Sequence, residues 1–135
     1  MNNKQSQNKE LRISKFIPGI AWFFLILIAV CTPGYDLPEV DSWFTEINFD
    51  KLIHTGLFAV LAWLFMYPVI KSALTRKEKW NWAIKITLST CIYGLLTELL
   101  QRFFIPSRSF DLFDLLFDIF GGLAALLYAK IRMPK

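Results

Sequence analysis

Charge is what this chain of 135 residues lacks over long stretches. Residues 16–32 and 86–97 carry none, residues 52–70 hold only His54, and residues 115–129 hold only Asp118. Histidine occurs once and cysteine twice, too few for a Cys/His zinc cluster or a disulfide scaffold. Cys31, near the end of one apolar run, and Cys91, in the middle of another, read as buried apolar thiols. There is no glycine-rich phosphate loop, no H-E-x-x-H, no Ser-His-Asp order and no nucleophile elbow. The polar remainder is short, which excludes a separate soluble domain, a nucleotide-binding α/β domain and a nucleic-acid-binding module.

What the chain has instead is four apolar runs. Each is near the roughly 20 residues a helix needs to cross a bilayer. The expected architecture is all-α: a bundle of four membrane-spanning helices over about 15–33, 51–70, 80–104 and 111–131, forming one domain over residues 15–132 behind a polar tail, residues 1–14. Pro18 falls in the first turn of the first span, where its missing N–H costs little. Pro33-Gly34 stops that span, and Pro106 breaks the chain after the third. Asp50 is placed to cap the second span and Asp111 the fourth, with Asp114 three residues on. Trp43 and Phe44 suit a short interfacial helix in the first loop. The basic flank of the first span, with Cys31 at its end, echoes a lipoprotein leader. Val30 before the cysteine and the length of the run favour an uncleaved span.

The net charge of +4 is a sum of unequal parts. Lys4, Lys9, Arg12 and Lys15 dominate the N-terminus; Lys71, Arg76, Lys77 and Lys79 the middle loop; Lys130, Arg132 and Lys135 the C-terminus. The first loop is acidic, with Asp36, Glu39, Asp41, Glu46 and Asp50. Basic flanks stay on the cytoplasmic side, so both termini are expected inside a bacterial cytoplasmic membrane. Trp80, Trp82, Tyr67 and Tyr128 fall at the expected inner interface, and Lys85 is placed to snorkel back to it. The basic balance therefore reads as topology, and no nucleic-acid partner is expected.

Ionisable groups inside a span are expensive, roughly 2.5–3.5 kcal/mol each at mid-bilayer on insertion scales. Their spacing is therefore informative. Thr87, Thr90, Gly94, Glu98 and Gln101 make one stripe on the third span; Asp111, Asp114, Asp118, Gly121 and Ala125 make another on the fourth; Lys51 and His54 share a face of the second. At the helical rise, Glu98 lies about 9 Å below Phe104 and Asp118 about 10 Å below Asp111. Two tiers are expected in the outer half: His54, Gln101 and Asp114 above, Glu98 and Asp118 below, with Arg102 and Arg108 at the mouth. Gly121 and Gly122 would let the helices close beneath. Thr87, Thr90 and Gly94 read as packing. So many carboxylates must be neutralised by cations or protons, and Lys51, His54, Arg102 and Arg108 are the cations at hand.

The segments Asp50-Lys51-Leu52-Ile53-His54, Glu98-Leu99-Leu100-Gln101 and Pro106-Ser107-Arg108, leading to Asp114, Asp118 and Gly122, resemble the VanZ-like family. That family is typified by a small multi-span protein associated with teicoplanin resistance. The resemblance covers residues 50–125. Asp118 stands where the family usually has Asn. The resemblance implies a role in low-level lipoglycopeptide resistance and supplies no reaction.

The leading expectation is an outward-facing polar pocket that takes a lipid-linked or cell-surface glycan component. If it is catalytic, Glu98 is the general acid or base, with His54 or Asp114 as partner. Lys51, Gln101, Arg108 and Asp118 would bind the substrate, Arg108 holding an anionic group. If it is a binder, the same residues only recognise the headgroup. A proton- or cation-coupled transporter using Glu98 and Asp118, and a structural protein whose buried ions are interhelical pairs, are the alternatives. A metal held by His54, Glu98, Asp114 and Asp118 is disfavoured at this level, because the ligands come from three helices without a recognised spacing. No cofactor is expected.

Overall fold

The computed structural model describes residues 11–32, 49–106 and 109–133, with the backbone alone at 49 and 50. It is all-helical. A 3-10 turn, Ile13–Phe16, leads into α1 (Ile17–Cys31), followed by α2 (Phe49–Lys71), α3 (Arg76–Phe104) and α4 (Leu112–Arg132). All four are long and apolar enough to cross a membrane, α1 together with its leading turn.

Local chemistry sets the ends. Pro18 sits in the first turn of α1, and Pro68 lies inside α2 near its C-terminus. α3 begins a turn earlier than residue 80, because Thr75 and Glu78 form a reciprocal capping box. Glu78 N–H donates to the Thr75 hydroxyl at 3.3 Å, and Thr75 N–H donates back to Glu78 Oε2 at 2.8 Å. Asp111 caps α4 as expected, its carboxylate accepting from Phe113 N–H at 2.7 Å. The described part of α2 begins at Phe49, so Asp50 is already within the helix, and its side chain lies outside the described residues. Trp43 and Phe44 lie outside the described residues.

The small and polar stripes face inward. Thr87, Thr90, Gly94, Glu98 and Gln101 on α3, and Asp118, Gly121, Gly122, Ala125 and Ala129 on α4, are buried. The Thr87 and Thr90 hydroxyls donate to carbonyls of their own helix, Ala83 at 3.0 Å and Ile86 at 2.8 Å. Their methyl groups are thereby left for packing. Closest approach is between α2 and α4. A Cβ on Gly121 would stand 2.4 Å from the Thr55 carbonyl oxygen and 2.8 Å from Ala59 N. Gly122 is less demanding, for a Cβ there would meet nothing closer than 3.7 Å. The Thr55 hydroxyl lies within hydrogen-bond reach of both the Lys51 carbonyl (3.1 Å) and the Phe117 carbonyl across the interface (3.2 Å).

α1 leans on the others through aromatic groups. Trp22 Nε1–H donates to the Leu57 carbonyl at 3.0 Å, the Tyr93 hydroxyl donates to the Phe23 carbonyl at 2.9 Å, and the Phe23 and Tyr93 rings stack. One half of the α2–α4 bundle is an apolar core of Ala62, Met66, Ile70, Ala83, Ala125, Ala129 and Met133. At that end, Lys71 lies over Tyr67, Lys130 over Trp80, and Arg132 over Tyr128. Lys85 sits over the Trp82 ring on the same helix. The opposite half holds the buried carboxylates, Glu98 and Asp118.

Candidate functional site

Three helix segments converge at the polar end: the start of α2, the end of α3 and the start of α4. At the rim, Lys51 Nζ lies 3.5 Å from Asp114 Oδ1 and 3.7 Å from Asp111 Oδ2. Asp114 is thus turned to Lys51, with an ion pair at that oxygen but no hydrogen bond. This lysine ties α2 to the first turn of α4.

Below the rim the groups are more deeply enclosed. Glu98 is 1% exposed and Asp118 0%. His54 Nδ1–H donates to Asp118 Oδ1 at 3.0 Å. The expected tiers are therefore linked. Backbone depth alone puts His54 level with Asp114, yet its ring meets Asp118, so the contact joins the two tiers. Gly94 makes room for this arrangement. A Cβ there would stand 3.1 Å from both Asp118 Cβ and Oδ2, so any larger residue would push α4 or its carboxylate away.

Glu98 connects α3 to α4 in a way that spacing did not signal. Its Oε2 accepts from the backbone N–H of Asp111 at 3.2 Å. Asp111 thus bonds on both sides, its carboxylate to Phe113 N–H and its own N–H to Glu98. Two buried oxygens of the lower tier have no hydrogen-bond partner: Glu98 Oε1 and Asp118 Oδ2. One ligating atom from each of His54, Glu98 and Asp118 lies within 4.8 Å of the others. Gln101, 4% exposed, sits one turn beyond Glu98 on the same helix. Arg102 lies over the Phe103 ring, and Arg108 is outside the described residues.

Among the described residues these groups form a polar knot spanning three helices, and three cavities lie away from it. One of about 300 Å³ opens between α1, α2 and α3, lined by Phe23, Leu61, Phe65, Trp82 and Tyr93 among others. Others are lined by Trp80 and Lys130, and by Trp63 and Tyr128. None of these three is lined by His54, Glu98 or Asp118.

A family model described as VanZ/LLP1 matches residues 2–133, nearly the whole chain. The chain belongs to the VanZ/LLP1 family. The VanZ resemblance carried by Lys51, His54, Glu98, Gln101, Asp114 and Asp118 is thereby placed on a match that also takes in the first span and the N-terminal tail. With four apolar helices of spanning length, this VanZ/LLP1 member is a multi-pass membrane protein. No curated protein and no solved structure matches the chain.

Proposed function

We propose that this VanZ/LLP1 protein works in the bacterial cytoplasmic membrane, with both termini inside and the polar end of the bundle towards the exterior. There it engages the polar headgroup of a lipid-linked or cell-surface component and so alters how a teicoplanin-type lipoglycopeptide meets the cell. The observation that carries this reading is Glu98. It is a carboxylic acid at 1% exposure with one oxygen unpartnered, beside the His54–Asp118 pair. A bundle that needed only to stand in a membrane would do better with an apolar residue there.

Glu98 and His54 are the pair best suited to acid–base work on a hydroxyl or amine, which contributes typically 10²–10⁴-fold where it operates. Lys51 pairs with Asp111 and Asp114 and holds the rim. The basic residues at the other end support the orientation. The transport alternative loses support from the apolar half, where Ala62, Met66, Ala125 and Ala129 fill the space beneath the cluster.

The test is Glu98→Gln, which nearly keeps shape and removes the acid. Expressed to wild-type level in a teicoplanin-susceptible host, the variant should fall to the susceptibility of the empty vector. Undiminished protection would exclude Glu98 as the catalytic group.

A further inference from the structure

We propose that His54, Glu98 and Asp118 form a binding site for a divalent transition-metal ion of the zinc class. The inference goes beyond the envelope role and does not depend on it; with the ion bound, Glu98 and His54 serve as its ligands in place of the acid–base pair. Four observations support it. One ligating atom from each residue lies within 4.8 Å of the other two. Glu98 Oε1 and Asp118 Oδ2 are buried without a hydrogen-bond partner, and a buried carboxylate oxygen left so is costly unless a proton or a cation meets it. The donor set is one imidazole and two carboxylates, which suits zinc and its neighbours better than magnesium or calcium, whose ligands are oxygens. Finally, two carboxylates and a neutral imidazole cancel a double positive charge, so the loaded site is neutral where the dielectric is low.

The fit needs the side chains to close on the ion. Tetrahedral ligands at about 2.0–2.2 Å from zinc stand about 3.3–3.6 Å apart. Closing from separations of up to 4.8 Å therefore takes up to about 1.5 Å, which rotation of the three side chains about their χ angles supplies. His54 gives up its hydrogen bond to Asp118 in the exchange, and any proton it or a carboxylate holds is released. The residues come from three helices, which is why spacing in the chain hides them; the fold assembles them. Three protein ligands leave a fourth position open, the pattern of sites at which a metal polarises a bound oxygen or activates water.

The experiment uses the full chain in lipid nanodiscs, without a polyhistidine tag, dialysed against Zn²⁺. We expect one equivalent retained, not displaced by millimolar Mg²⁺ or Ca²⁺. Losing even an outer-shell partner of a metal site costs 10–100-fold in affinity, so Glu98→Gln and Asp118→Asn should each weaken binding by at least that much. The chain has a single histidine, which gives a readout without any variant. On adding Zn²⁺, the one labelled imidazole signal should shift in NMR, and Co²⁺ in its place should show no thiolate absorption. No retained zinc, equal competition by Mg²⁺, an unmoved imidazole or a cobalt–thiolate band would each overturn the proposal. The envelope reading would survive any of these results, because it is scored by susceptibility alone.

Discussion

His54 and Asp118 are 64 positions apart in the chain and 3.0 Å apart in space. At this scale the polar end is a set of mutual dependencies. Asp118 is fully buried and is held by His54, while Gly94 leaves it room. Removing the imidazole therefore strands a carboxyl group in low dielectric, and removing both groups strands nothing. With metal chelated, His54→Ala should destabilise the folded protein by about 1–2 kcal/mol, the upper range of hydrogen-bond contributions measured between membrane helices. The double change His54→Ala/Asp118→Ala should be less damaging than the sum of the two singles. Reversible unfolding in bicelles measures this coupling; strictly additive effects would show that the two side chains do not support each other. Sequence spacing identified both residues and their shared end of the bundle. It does not show the His54–Asp118 contact between the two tiers, because helical rise locates Cα atoms and says nothing of how far a side chain extends. The Glu98 bond to the Asp111 N–H was equally hidden: it depends on how the α3–α4 connection folds back, and no periodicity encodes that.

Among the elements, α2 and α4 come closest, and they do so at one glycine. Gly121→Ala places a methyl group against the Thr55 carbonyl and Ala59 N, where backbone cannot yield as a side-chain tip would. Overpacking of this kind costs about 1–3 kcal/mol. Gly56→Ala is the control. Nothing lies within 4 Å of the added carbon, and helix propensity favours alanine by up to about 1 kcal/mol. Thermal melts in detergent should move the two variants in opposite directions. Thr75→Ala should lower the same melt modestly, by the roughly 1 kcal/mol of a lost N-cap. The spans themselves are legible to within a few residues, because a charge-free run of bilayer length has little else it can be. The start of α3 is not, because hydropathy rises only from Trp80 and the Thr75–Glu78 capping box lies in the charged turn before the apolar run. Of the two adjacent glycines, both were expected to allow close approach. Only Gly121 faces backbone at contact distance, and composition cannot tell neighbouring positions apart when helices cross at an angle.

The whole molecule is divided end from end: the interhelical ion pairs and buried carboxylates lie in one half, and the alanine- and methionine-rich core lies in the other, ringed by Lys71, Lys130 and Arg132 over aromatic rings. The basic residues at the apolar end predict its side of the membrane. Reporters fused at either terminus should both be active in the cytoplasm, and replacing Lys71, Arg76, Lys77 and Lys79 with neutral residues should weaken that preference. A protease-accessibility assay on spheroplasts checks both. The division also bears on how the protein is made. α2 precedes α4 in the chain, so His54 is synthesised before Asp118. An unaccompanied aspartate in an apolar span costs roughly 2.5–3.5 kcal/mol on insertion scales. His54→Ala is therefore expected to lower the yield of membrane-inserted chain, and an unchanged yield by membrane fractionation would show that the last helix enters without help from the second.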